Sequence, residues 1–417
     1  MPCSEPLRRE RRGDPAVNAE AVQSLRTDLE AAEKTLHSMP AAARVAAVGR
    51  VLDAWSDPGS PVRRRLLDEH PGASGLSREN VAAGLELALA SWNHAALARL
   101  VEQEASGDAA RLAGVTTVVH GGVLPMPTLV DALAPIVLGS PVLAKPARRD
   151  PVTPRLVEAS LAELAPELGD CLALADVRRS NHAALDSLLA APRVVVTGGD
   201  EAIAGIEGRI GHGTRLIAHG HKLSVALLGT DVDVAFEDAS ARLAVDVSLW
   251  DQLGCLSPIA CWVVGDARRA DRFAAALGRA LARREGMTPR GEVGAGAAAW
   301  ISNERAEAEI RAAAGGGCTL YAGDAWTVVA ESDATPRAAP LHRFVRVHPL
   351  AAPRDLPRTL GPLGSHVAGV AHAGLSEAAA QECRLAMGAS RAAPFGRLQA
   401  PPLDWGRDGL GVLASLL

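Results

Sequence analysis

From residue 114 onward the chain alternates short apolar runs with segments of helical period, and that alternation admits few folds. The runs at 115–120, 141–145, 171–177, 193–197 and 215–219 read as strands, with helices expected at 128–138, 152–164, 181–189 and 200–210 between them. Strands that are apolar throughout need cover on both faces, so the pattern predicts a parallel sheet wrapped by helices. A second series starts at 224–228. It continues through a helix at 236–253, a strand at 259–264, a helix at 267–284, a strand at 344–347 and a helix at 376–387. The first hundred residues are helical in pattern: 18–38 forms one helix, and Ser77 caps another that runs on to Leu97 and Leu100. From Ala392 the sequence turns rich in Pro and Gly and is expected to lie over a surface.

Composition excludes several functions. A net charge of −5 with 3% aromatic residues offers neither the basic face nor the stacking rings of a nucleic-acid binder. No run of 18 uninterrupted apolar residues occurs, so no membrane span is expected. The Arg-rich stretch 1–13 has no apolar core of the kind a secretory signal carries. Cysteines 3, 171, 255, 261, 318 and 383 lack metal-ligand spacing and are expected to be thiols of a cytoplasmic protein.

Four segments could carry chemistry. Cys255 follows a glycine in Trp250-Asp251-Gln252-Leu253-Gly254-Cys255, on a helix-to-strand elbow where a thiol can be exposed and rigidly held; the alternative is a small buried hydrophobe. Cys261, inside the following strand, reads as core. Lys145, one of only three lysines, ends a strand where α/β sheets bind ligands, or else it extends its ammonium to solvent. With Arg148 and Arg149 behind it, up to three cations would meet an adenosine 2′-phosphate, which favours NADPH over NADH. Gly198-Gly199 either lets a pyrophosphate approach a helix N-terminus or is a turn with Asp200 as its N-cap. His219-Gly220-His221-Lys222 has two histidines on one face but no further ligands at metal-site spacing, so no metal is expected.

In this order, strand–Lys-Pro, strand–Thr-Gly-Gly–helix, strand–His-Gly-His-Lys and helix–Gln-Leu-Gly-Cys, the chain resembles the aldehyde dehydrogenase superfamily. Within it, the segments at 196–204, 250–258 and 388–409 are most similar to the acyl-CoA reductases of the bacterial luminescence type. The resemblance spans residues 115–417 and does not extend to the N-terminal helices. It implies an α/β fold with two Rossmann-like parallel-sheet domains and an N-terminal helical region. The domains would be 1–113 (helical, packed on the cofactor domain), 114–223 (NADP(H)-binding), 224–390 (catalytic) and 391–417 (tail).

The resemblance further implies that Cys255 forms an acyl-enzyme thioester and that Lys145 holds the adenosine ribose. Gly198 and Gly199 would admit the pyrophosphate, and Gly220 and Lys222 would pack beside the nicotinamide. Two positions depart from the pattern. Ala218 stands where hydrolytic relatives carry a water-activating glutamate, so a thioester on Cys255 is expected to be reduced or transferred rather than hydrolysed. Val123 stands where an asparagine would support the oxyanion, leaving the backbone N–H of Cys255 for that task, at a cost of about 3 kcal/mol. No glutamate near Phe344 matches the one that elsewhere holds the nicotinamide ribose.

The expected activity is NADPH-dependent reduction of an acyl-CoA, or of an acyl group on a carrier, to an aldehyde, with NADH as the alternative reductant and coenzyme A as the substrate thiol. An unperturbed thiol is only a few per cent ionised at neutral pH, and His219 and His221 are the nearest candidates to take its proton. Expected partners are a small acyl thioester, an acyl-carrier or acyl-transferring protein, and further copies of the chain. The competing readings are an oxidative aldehyde dehydrogenase and a degenerate homologue acting as a binding scaffold.

Overall fold

The computed structural model describes residues 17–106, 111–230 and 235–417; the stretch 1–13 and Cys3 lie outside the described residues. Two sheets organise them. The first contains β1 (Thr116–Val119), β2 (Val142–Lys145), β3 (Leu172–Leu174), β4 (Arg193–Thr197) and β5 (Arg215–His219), all parallel, in the order β3-β2-β1-β4-β5. The direction of winding reverses between β1 and β4, so the turns leaving these strands open a crevice at the sheet's carboxyl edge.

The second sheet contains β6 (Leu223–Leu228), β7 (Pro258–Val264), β8 (Cys318–Ala322), β9 (Thr327–Glu331), β10 (Phe344–Leu350), β11 (Val367–Ala373) and β12 (Arg391–Pro394). Its order is β12-β11-β6-β7-β10-β9-β8, and only β8 runs antiparallel to its neighbour. β5 passes into β6 through Gly220-His221-Lys222. That short link sets the carboxyl edge of the first sheet against the amino edge of the second.

The N-terminal helices share one core with the first sheet: Trp55, Leu66 and Leu85 belong to the same apolar cluster as Val118, Val142 and Ala144. Leu413 and Leu416, from the chain's last turn, are buried in that cluster too. The Pro/Gly-rich tail therefore does not merely lie over a surface. It is anchored by Glu104, whose carboxylate accepts from the N–H groups of Leu413 (2.7 Å) and Ala414 (3.0 Å), and by the Trp92 indole N–H, which donates to the Pro401 carbonyl (2.9 Å).

Several elements differ from expectation; the helix capped by Ser77, for one, stops at Leu89 and a separate helix follows over His94–Glu104. The helix expected at 236–253 stops at Ser248 and a 3₁₀ turn follows, because Trp250, Asp251 and Gln252 all take left-handed backbone (φ 58°, 48° and 62°). The helix Ala295–Ala313, not visible as a pattern, is Ala-rich and buries only Ile301 and Ala308, so it has almost no apolar stripe. Strands β8 and β12 were equally hidden, since β8 is a half-exposed edge and β12 contains proline.

Candidate active site

A cavity of about 520 Å³ lies between the two sheets. One wall is formed by the turns of the first sheet, Gly121–Val123 and Thr197–Gly199, and another by His219–Lys222 and Gln252–Ser257. The tail, from Gln399 to Leu416, supplies much of the rest, including Arg407 and Asp408. Of the sequence-predicted residues, Cys255, His219, Gly198, Gly199, Gly220 and Lys222 all line it. Lys145 and Arg148 do not.

Cys255 precedes β7 at the amino edge of the second sheet, where Ser224 Oγ donates to its carbonyl (2.7 Å). Its side chain is exposed to the cavity, unlike buried Cys171, Cys261 and Cys383. A thiol can be reachable down a cleft while protein surrounds it on its other sides. Burial pushes Cys255 up to about 11; Arg407 and the N–H groups of Cys255 and Leu256 pull it down, and Asp408 adds to the rise. A thiol raised in this way is mostly protonated at neutral pH, and a neighbouring base would help it to react.

The elbow before Cys255 is strained and latched. Left-handed backbone costs a non-glycine residue roughly 1 kcal/mol or more. A second left-handed run, Leu341, His342 and Arg343 (φ 65°, 54° and 68°), faces the first, and the His342 N–H donates to the Asp251 carbonyl (3.1 Å). Buried Arg343 donates through Nε to Asp251 Oδ1 (2.9 Å) and through Nη1 to Glu285 (2.6 Å). Asn80, on the helix Arg78–Leu89, donates to Asp251 Oδ1 (2.9 Å) and accepts from the Trp250 N–H (2.7 Å). Gln252 closes the latch: its amide donates to the Pro258 carbonyl (2.8 Å) and accepts from the Phe344 N–H (2.9 Å).

His219 ends β5 and is nearly buried. Its Nδ1 lies 2.9 Å from Asp408 Oδ2. The preceding tail residue, Arg407, is paired through Nη2 with Asp131 Oδ1, while Thr197 Oγ1 donates to Asp131 Oδ2 (3.2 Å). Asp131, Arg407 and Asp408 were missed by sequence reasoning. Asp131 carried a readable signal as the one charged residue of the apolar helix Pro125–Val137; a buried carboxylate there needs a partner. The two tail residues sit in the family-like segment 388–409, and only the fold shows that it returns to the site.

Around the first sheet's crevice the chain fits a dinucleotide. The structure leaves open space beside the glycine turns: a Cβ at Gly122 or Gly199 would meet nothing within 4 Å, and one at Gly198 only Ala202, at 3.5 Å. Helix Asp200–Glu207 starts there; the Ala202 N–H donates to the Gly199 carbonyl (2.9 Å), while the N–H groups of Asp200 and Glu201 precede the first helical acceptor. Gly199 is its N-cap; Asp200 is not, its Oδ1 accepting instead from the His221 N–H (3.0 Å). Glu201 is paired with Arg179 (2.9 Å), so neither first-turn carboxylate is uncommitted.

His120, after β1, keeps a buried Nε2 without a partner, and burial draws its pKa down to about 4. Lys145 is half-buried and its pKa is lowered by burial, against the pull of Asp176. Arg149 donates through Nη2 to the Ser74 carbonyl (2.9 Å), while Arg148 is exposed. Val123 is buried, its carbonyl accepting from His70 Nε2 (2.9 Å), and Lys222 Nζ donates to the Ser365 carbonyl (3.1 Å). Among the described residues no group of three or more His, Cys, Asp or Glu could hold a metal, and no helix is long and apolar enough to cross a membrane.

The profile of the acyl-CoA reductase (LuxC) family matches residues 47–417. The chain belongs to that family. The match begins well before residue 115, so the N-terminal helices from residue 47 onward are part of the family's shared sequence. No curated protein sequence matches the chain. Among solved structures it is similar to an oxidoreductase from Marinobacter aquaeolei (TM-score 0.73, 14% identity, covering 96% of this chain and 87% of that one). It is similar also to succinate-semialdehyde dehydrogenase from Burkholderia pseudomallei (0.71, 15%, 96% and 89%). A third is an NAD-dependent benzaldehyde dehydrogenase from Corynebacterium glutamicum (0.68, 14%, 92% and 87%). The fold is that of the aldehyde dehydrogenases, and this LuxC-family protein is an oxidoreductase acting on acyl or aldehyde groups.

Proposed function

We propose that this LuxC-family protein reduces an acyl thioester to an aldehyde with NADPH, through an acyl group held on Cys255. One observation carries the reading: the exposed thiol of Cys255 and the open glycine turns of the first sheet line one cavity, and among the described residues no free carboxylate lines it. The two carboxylates among its described lining residues are both committed, Asp131 to Arg407 and Asp408 to His219. Ala218 offers none. Water near the thioester therefore lacks an uncommitted carboxylate at the place Ala218 occupies, which favours reduction or return to a thiol over hydrolysis.

The chain's own residues divide the work. The N–H groups of Cys255 and Leu256 point toward the sulfur, and the Cys255 N–H is the donor available to the oxyanion, since Val123 has no polar side chain. His219 receives the thiol proton. Gly198, Gly199 and the start of helix Asp200–Glu207 would hold the pyrophosphate, Lys145 and exposed Arg148 the adenosine ribose and its 2′-phosphate, and Gly220 and Lys222 the nicotinamide side. A bound nicotinamide cofactor supplies hydride. The units 114–223 and 224–390 thus act as cofactor and catalytic domains, in a cytoplasmic enzyme that works as an oligomer and takes its acyl group from coenzyme A or a carrier protein.

The test is NADPH and NADH oxidation with acyl-CoAs of graded chain length, wild type against Cys255→Ala. Consumption that favours NADPH and disappears in Cys255→Ala is expected. No consumption at any chain length by folded wild-type protein overturns the proposal.

A further inference from the structure

We propose that Asp408, from the C-terminal tail, is the positioning residue of a proton-transfer pair, holding His219 so that its imidazole takes the Cys255 proton and delivers it to the departing thiol. The inference rests on the reading of Cys255 as acyl acceptor. Its geometry is independent of that reading.

His219 Nδ1 and Asp408 Oδ2 are 2.9 Å apart. With an ionised carboxylate as acceptor, the ring N–H must be on Nδ1, which leaves the Nε2 lone pair free to act as base. The pair lies in the same cavity as Cys255; the Asp408 charge by itself disfavours the thiolate, so any help it gives goes through the imidazole it holds. No hydrogen bond joins His219 to Cys255 among the described residues, so the proton crosses through a water molecule or the substrate sulfur.

The tail is built to hold this carboxylate in place. Asp408 is left-handed (φ 56°), a conformation Asp tolerates better than most residues, and the turn around it is fixed on both sides. Arg407 is paired with Asp131, and the Leu410 N–H donates to the Arg407 carbonyl (2.9 Å). A Cβ on Gly406 would lie 2.4 Å from the Leu410 carbonyl oxygen, so the turn closes tightly. The other charged or titratable side chains lining the cavity are Asp131, Arg407, His221 and Lys222, and each of these except His221 has its side chain in a polar contact elsewhere.

The step balances. Cys255 Sγ–H gives its proton to His219 Nε2, and the thiolate forms a C–S bond to the acyl carbon. The carrier's C–S bond breaks, its sulfur leaves with the electron pair, and the proton on Nε2 passes to that sulfur. No oxidant or reductant is used until hydride transfer, which is a separate step.

The test is the rate at which iodoacetamide alkylates Cys255, followed by peptide mass spectrometry from pH 6 to 10, with no acyl substrate present. Asn tolerates left-handed backbone as well as Asp does, so Asp408→Asn removes the charge and keeps the turn. The expected result is a 10- to 100-fold slower alkylation at pH 7 that converges on wild type as pH rises toward 10. His219→Gln should behave alike, and adding it to Asp408→Asn should change nothing further. Glu104→Ala, which frees the tail's far end, should leave the pH profile where it was. A wild-type profile in Asp408→Asn overturns the proposal, as does a loss equal at every pH or a Glu104→Ala profile that copies Asp408→Asn. If alkylation depends on Asp408 as expected but acyl-CoA never modifies wild-type Cys255, the functional reading fails and the pair stands.

Discussion

Gly121 and Gly199 show how differently two glycines of one crevice are used. A Cβ on Gly121 would sit 2.1 Å from the Thr197 carbonyl oxygen, so any side chain there forces the β1 and β4 turns apart. Gly199 has φ −73° and open space, so Ala fits the fold but occupies the room beside the helix N-terminus. Gly121→Ala is expected to lower stability by about 1–3 kcal/mol, measured by urea unfolding. Gly199→Ala should leave unfolding unchanged and weaken NADPH binding at least tenfold, read by cofactor fluorescence. Asp246 presents a different residue-scale case. Fully buried, it accepts from the N–H groups of Gly396 (2.7 Å) and Leu398 (3.0 Å), and burial raises its pKa from 3.8 to about 7. The folded chain therefore holds a proton that the unfolded chain has lost, and the stability this confers is complete below about pH 4 and lost as pH rises through about 7. The unfolding free energy of wild type relative to Asp246→Asn should fall across that window; a difference that stays flat or rises contradicts the assignment.

At the scale of elements, the elbow and the strand that faces it form one device. Two left-handed runs, 250–252 and 341–343, are joined by buried Arg343 and Asp251, and Asn80 ties them to an N-terminal helix. Removing one partner strands the other charge in the interior. Arg343→Met should cost about 3–5 kcal/mol, and Arg343→Met with Asp251→Asn should cost less than the two single changes summed, measured by chemical denaturation. The elbow also marks how far sequence reasoning reaches. The strand ends at 193–197 and 215–219 are as expected, because apolar runs bounded by glycine and charge leave little freedom. The helical period running to Leu253 gave no sign of the kink after Ser248, which is imposed by Asn80 and Arg343, residues 170 and 92 positions from the backbone and side chain they hold.

Across the whole molecule, the site is an agreement between three distant stretches: the carboxyl edge of one sheet, the amino edge of another, and a tail that returns from the chain's end. Cys255, Gly198, Gly199 and Lys222 were legible because each belongs to a local motif. Asp408 was not, since its partner lies 189 residues away and nothing local distinguishes it from Asp404 in the same tail. Lys145 and Arg148, which the motif order also singled out, stand outside the cavity. The central claim is that Cys255 carries the acyl group. Incubating the protein with an acyl-CoA in the absence of NADPH, followed by mass spectrometry of the Cys255 peptide, tests it directly. The account predicts one acyl mass increment on Cys255 that disappears with release of aldehyde when NADPH is added. An unmodified Cys255 peptide across the acyl-CoA series, or an adduct on another cysteine, would contradict it.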